Sequence, residues 1–184
     1  IKILMPAIDS STHEQMLILE KLNSGQCFAM MGLHPCSVKE NCKQELEIVQ
    51  EYLKKRPFKA VGEIGLDFYW DKTFTTQQHH AFNQQMQWAL DYALPIVIHT
   101  RNAMGETIEA VKPFAKKGLR GIFHCFSGSV ESARQIIDLG FHLGIGGVLT
   151  YKKAGLPEVL EEIPLEWLVL ETDAPYLTPV PFRG

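Results

Sequence analysis

Short, almost wholly apolar runs recur along this chain, separated by longer stretches with helical periodicity. The runs cover positions 1–6, 28–32, 58–64, 94–98, 121–126, 141–148 and 165–171. A run of that length without polar alternation is what a parallel strand covered on both faces requires. The stretches between them place apolar residues three and four apart. Leu46, Val49 and Leu53 share one helical face; Phe82, Met86, Ala89, Leu90 and Ala93 share another; Val130, Ala133, Ile136 and Ile137 share a third. Ser11 and Glu14 have the spacing of a capping box for the first helix. Gly140 stops the helix that Val130 begins.

Seven strands with six helical crossovers make a parallel α/β sheet, for which two architectures exist: a doubly wound open sheet and a (β/α)8 barrel. No glycine-rich phosphate loop follows the first run, where Pro6-Ala7-Ile8-Asp9-Ser10 stands instead. The barrel is therefore favoured. A complete barrel takes eight units and about 250 residues, and this sequence has 184. Residue 1 is Ile in a strand-like run, and 179–184 reads as a turn with no element after it. Both ends read as cut, so the expectation is a single domain over 1–184, a TIM barrel lacking its first strand and its C-terminal helix.

Composition narrows the function classes. At 46% apolar and 21% charged the sequence is that of a globular domain, and no apolar run is long enough to span a bilayer. A net charge of -3 gives no basic footprint for nucleic acid. Bound metal can supply the positive charge that such a count misses. Cys27, Cys36, Cys42 and Cys125 include no C-x-x-C pair, so a reduced, cytoplasmic chain is expected.

Polar residues sit at one end of the apolar runs. Gly32-Leu33-His34-Pro35, Val61-Gly62-Glu63-Ile64-Gly65-Leu66-Asp67, Ile98-His99-Thr100-Arg101, Phe123-His124-Cys125-Phe126-Ser127-Gly128 and Leu170-Glu171-Thr172-Asp173-Ala174-Pro175 each close a run with a His, Glu or Asp. In a barrel the C-terminal strand ends form the rim where active sites lie. Carboxylates and imidazoles gathered there are costly to bury unless a cation pairs them. Zn, Mn or Fe suits such a ligand set, and Mg suits its carboxylates. Glu63 is a candidate bridging ligand, and His99 and His124 would hold one ion. Asp173 would hold the other or act as general base. Arg101 could clamp a phosphate in a forked contact or form an ion pair with Asp67. His34 and Asp67 would orient substrate or the ligands. Glu171 shares a strand face with Asp173. Trp70, Trp88 and Trp167 are expected to pack. Phe68, Tyr69 and Trp70 have the alternative of lining the mouth and stacking on a base.

These motifs, in this order, resemble the successive signatures of the TatD family, metal-dependent deoxyribonucleases of the amidohydrolase-like barrel superfamily. The likeness rests on Gly62 to Asp67, Ile98 to Arg101, Phe123 to Gly128 and Glu171 to Leu177, with Gly32-Leu33-His34-Pro35 and the tail from Pro179 in addition. It implies a TIM barrel with metal ligands at Glu63, His99, His124 and Asp173. It also implies two divalent ions per site, a DNA substrate, and in some members 3′ to 5′ exonuclease action. The family opens on a strand with a His-x-His pair, which this sequence does not contain.

Three readings of function stand. The first is a metal-dependent hydrolase of DNA phosphodiesters, with Glu63 and Asp173 as its catalytic carboxylates and substrate contacts at His34, Asp67 and Arg101; the protein is expected to be a monomer. The second is a related hydrolase of a small amide, lactone or phosphotriester, in which metal-activated water serves equally well. The third is a non-catalytic barrel. Glu63 stands where some relatives of the second kind carry a carbamylated lysine, which favours the first.

Overall fold

The computed structural model describes residues 1–183. All seven strands and six crossover helices are present in the expected order. They are β1 (Ile3–Met5), α1 (Ser10–Leu22), β2 (Cys27–Ala29), α2 (Cys42–Lys55), β3 (Val61–Asp67), α3 (Thr75–Asp91), β4 (Ile96–Arg101), α4 (Met104–Ala115), β5 (Gly121–Phe123), α5 (Val130–Asp138), β6 (His142–Ile145), α6 (Leu156–Leu160) and β7 (Leu168–Leu170). The chain divides into two compact units, Ile1–Arg120 and Gly121–Gly184.

In the first unit β1 pairs in parallel with β2, and β3 with β4. A bridge from Met31 to Val61 joins the pairs. Every residue of β3 is buried, as a central parallel strand demands. The strand runs further than its hydrophobicity suggests. It begins at Val61 rather than at Phe58 and continues through Leu66 to Asp67, because Asp67 finds partners that make its burial tolerable. Leu46, Val49 and Leu53 of α2 are buried as their spacing requires.

Two details of the helices differ from expectation. The first helix is capped by Asp9, whose carboxylate accepts the Ser11 N–H, in a capping box completed by Thr12; Ser11 and Glu14 do not form the box. In α3, Phe82, Met86 and Ala89 are buried, whereas Leu90 is half-buried and Ala93 is exposed beyond the helix end in a left-handed conformation.

The second unit is a parallel sheet in which β6 pairs with β5 on one side and β7 on the other. Its core contains Phe123 and Phe141 in edge-to-face contact, with Ala133 and Ile136 of α5 buried. Ser129 and Ser132 form a capping box for α5, and Gly140, with positive φ, follows its end.

Candidate metal centre

Gly65 sets the geometry of the first cluster. It lies opposite His99 in the β3–β4 register, with φ of 149°, and a Cβ there would overlap the His99 carbonyl. Only glycine lets the two strands approach at this point. The close pairing brings Glu63 and Asp67 to either side of the His99 ring. Nδ1 of His99 lies 3.1 Å from Oε1 of Glu63, and Nε2 lies 2.8 Å from Oδ2 of Asp67. Glu63 is 7% exposed and Asp67 1%. His34 stands alongside, its ring centroid 4.5 Å from that of His99 and its Nε2 3.8 Å from Oε1 of Glu63.

Asp67 is the most engaged carboxylate of the group. Its Oδ1 accepts the backbone N–H groups of Tyr69 at 2.9 Å and Trp70 at 3.3 Å, while Oδ2 meets His99. Burial raises its pKa, but the bond from His99 and the two backbone donors outweigh burial and hold the carboxyl well below its usual range. Burial likewise disfavours charge on His99; the bonds to Asp67 and Glu63 prevail and raise its pKa. The expected alternative for Asp67, an ion pair with Arg101, does not form. No carboxylate lies within ion-pair distance of Arg101 among the described residues; the guanidinium lies instead over the Tyr69 ring, 3.7 Å from its centroid.

Three contributors to this cluster have weak signatures in the sequence. Cys36 is one: His34, Cys36 and His99 each offer one ligand atom, all within 4.8 Å of one another. Burial first, then the charge and hydrogen bond of Asp67, push the Cys36 thiol up to about 12, so without a cation it is a neutral donor to Asp67. Gln78 and Gln85 are the others. Seven residues apart, they lie on one face of α3, and each clamps a backbone segment from which a cluster residue projects. Gln78 accepts the Asp67 N–H at 2.9 Å and donates to the Asp67 carbonyl at 3.1 Å. Gln85 does the same for Leu33, beside His34, at 2.7 and 3.2 Å. Two glutamines within an apolar helical stripe are the sequence signal for such clamps.

The second unit holds its own cluster. Nδ1 of His124 lies 2.8 Å from Oε2 of Glu171, and Nε2 lies 2.8 Å from Oδ1 of Asp173. Oε1 of Glu171 accepts the Cys125 N–H at 2.5 Å. Gly144 makes room for Glu171, since a Cβ there would run into its carboxylate. Glu171 and Asp173 thus face the same imidazole, as their spacing suggests.

Both clusters fit a divalent cation. Each imidazole has a carboxylate at both ring nitrogens. A tautomer that donates to one carboxylate leaves the other nitrogen as a ligand atom beside the second, the arrangement that fixes metal-binding histidines. The Glu63–His99 separation of 3.1 Å and the Asp173–His124 separation of 2.8 Å are near the roughly 3.3 Å between neighbouring ligands of a tetrahedral ion with bonds of about 2.0–2.1 Å. In the first cluster two buried carboxylates flank the His99 imidazole, with His34 beside Glu63, a set of donors suited to a cation.

Comparison with known proteins is consistent across the chain. The family model described as TatD related DNase matches residues 1–184. The uncharacterized metal-dependent hydrolase YabD of Bacillus subtilis is 39% identical over 158 residues, 85% of this chain and 62% of its own length. The uncharacterized metal-dependent hydrolase YjjV of Escherichia coli is 34% identical over 186 residues, 100% of this chain and 71% of its own length. The crystal structure of YjjV, a TatD homologue, superposes on the whole chain with a TM-score of 0.92 at 33% identity and 71% of its own length. The phosphotriesterase homology protein of E. coli shares the fold alone, with a TM-score of 0.67 at 14% identity over 92% of this chain and 66% of that one. The fold class is therefore the α/β class of the TatD and amidohydrolase-like TIM barrels. With a family match over its full length and relatives named as metal-dependent hydrolases, the chain belongs to the TatD-related DNase family.

Proposed function

We propose that this protein hydrolyses phosphodiester bonds of DNA with two divalent cations, magnesium, manganese or zinc, held by Glu63 and His99 of the first unit and by His124 and Asp173 of the second. The observation that carries the reading is the repeated motif in which one imidazole is flanked by two carboxylates, at 3.1 and 2.8 Å in the first cluster and at 2.8 Å twice in the second. The description of the matching family supports DNA as substrate. Glu63, His99, His124 and Asp173 would hold the cations, which would supply Lewis-acid polarisation of a phosphate oxygen and a more acidic water.

The remaining work falls to the chain's own groups. Asp67 and Glu171 each accept a hydrogen bond from one N–H of a ligand imidazole and fix its tautomer and ring plane. Asp173, with a side chain 26% exposed, is open enough to receive the proton that the attacking water gives up. His34, beside Glu63, orients the substrate. Arg101, with no carboxylate to neutralise it among the described residues, contacts a phosphate of the strand.

The test is digestion of an end-labelled DNA single strand by the purified protein, before and after chelation and after adding back Mg, Mn or Zn. Cleavage that disappears with chelator and returns with metal is the expected result. Metal-dependent turnover of small esters, lactones or amides without DNA cleavage would replace this reading with the amidohydrolase-like one. A protein that retains no metal would make it a non-catalytic barrel.

A further inference from the structure

A cavity of about 300 Å³ lies between the turn that joins α1 to β2 and the segment that joins α2 to β3. It sits at the start of β3, and the seven residues of that strand put roughly 20 Å between it and Asp67. Four cations and one carboxylate surround it. Lys21, Arg56 and Lys59 line the cavity with Glu20, and Lys2 joins Lys59 over the Phe28 ring, at 6.0 and 5.4 Å from its centroid. Glu20 is engaged within the fold: one oxygen accepts the Ala29 N–H at 2.7 Å and the other meets Arg56 at 2.6 Å. Lys2, Lys21 and Lys59 pair with no carboxylate among the described residues. The C-termini of α1 and α2 lie here, and each carries about half a negative charge. Lys21, in the last turn of α1, and Lys54 and Lys55, in that of α2, meet that need. Lys2 and Lys59 belong to neither helix and exceed it. The turn adds donors. Gly25 has φ of 84° with open space around it. Neither its N–H nor that of Ser24 has an acceptor among the described residues, whereas the Asn23 and Gln26 N–H groups on either side bond to the Leu19 and Asn23 carbonyls. Adjacent unbonded amides at a left-handed residue are the elements of an anion-binding nest.

We infer that this cavity binds a phosphate dianion, free or as a phosphomonoester, on Lys21, Lys59 and the Ser24–Gly25 amides, at a site separate from the candidate metal centre. Lysine ammoniums hold phosphate as point charges, and the one carboxylate in the cavity is already neutralised by Arg56. In a chain of net charge -3 this local surplus of positive charge concentrates anions where the rest of the surface does not. The volume is at the small end of ligand cavities, which suits a small phosphorylated molecule. A dianion held between Lys59 and the turn at Ser24–Gly25 links the α1–β2 connection to the entry of β3. Bound to the folded chain alone, it stabilises the fold by mass action.

The test is an amide NMR titration of the protein with inorganic phosphate, in chelator and at constant ionic strength. The Ser24 and Gly25 resonances should move and reach a plateau. Lys21→Gln and Lys59→Gln should each weaken binding about tenfold, the scale of one hydrogen bond to a charged group. Both side chains are exposed, so the thermal midpoint of each variant in chloride buffer should match the wild type. Glu63→Gln alters the candidate metal centre and should leave the titration as it was, which separates this site from that one. Glycerol 3-phosphate in place of phosphate identifies the source: tighter binding assigns the site to phosphomonoesters, weaker binding to free phosphate. Shifts that rise without a plateau, Ser24 and Gly25 resonances that stay still, wild-type affinity in both lysine variants, or loss of binding in Glu63→Gln would each overturn the site.

Discussion

The carboxylate of Asp67 holds the imidazole of His99 at Nε2, 2.8 Å away, on the side opposite Glu63. Asp67 does not compete for the ligand nitrogen; it decides which nitrogen that is. Asp67→Asn keeps the shape, but a neutral amide no longer compels His99 to donate from Nε2. Metal affinity should fall about 10–100-fold with the fold intact. Competition against a fluorescent chelator measures it, and an unchanged affinity would remove Asp67 from its orienting role.

Glu63 is the harsher case. It is buried, and Oε1 lies 3.1 Å from His99 and 3.8 Å from His34. Glu63→Gln removes the charge that a cation needs and leaves an amide of nearly the same volume. Metal content by elemental analysis and hydrolysis of a labelled strand should fall together. Retention of both would take Glu63 out of the site.

The fold was legible because a parallel strand covered on both faces has to be nearly all apolar, and β3 to β7 announce themselves that way. Boundaries were less legible, because they depend on tertiary partners. Asp67 ends a fully buried strand only because His99, Gln78 and two backbone amides receive it. His99, Glu63 and Asp67 were readable as a cluster from their places at strand ends, as were His124, Glu171 and Asp173. Cys36 was not, since the proximity of its thiol to His99 depends on the turn at Pro35–Ser37. Gln78 and Gln85 read as ordinary helix formers until their bonds to Asp67 and Leu33 are seen.

Gln85 lends itself to a stability measurement. Completely buried, it satisfies both the N–H and the carbonyl of Leu33. Gln85→Leu keeps the volume and apolar contact but strands two buried backbone groups. The loss should be about 1–3 kcal/mol, seen in urea denaturation as a lower midpoint with an unchanged slope. Since Leu33 carries the chain into His34, metal binding should also weaken in the variant. A neutral result would mean that water or a shifted backbone replaces the clamp.

His13 supplies the last prediction, on pH. It is 1% exposed, packs edge-on against Tyr52 at 5.3 Å, and neither ring nitrogen makes a well-aligned hydrogen bond, the Gly32 backbone being its nearest polar neighbour. Burial lowers its pKa below the ordinary 6.5, although Glu45, the Gly32 backbone and Asp9 pull the other way. The unfolded chain therefore binds a proton at this position in a range where the folded chain does not. Stability is full above the unfolded value near 6.5 and declines as pH falls through it toward the folded value. His99 has the opposite sign, because its pKa is raised on folding; the comparison must therefore be between wild type and His13→Phe, which shares every other titrating group. Thermal midpoints between about pH 7.5 and 5 should fall more steeply in the wild type than in the variant. Parallel curves would show that His13 stays neutral, or is charged, in both states.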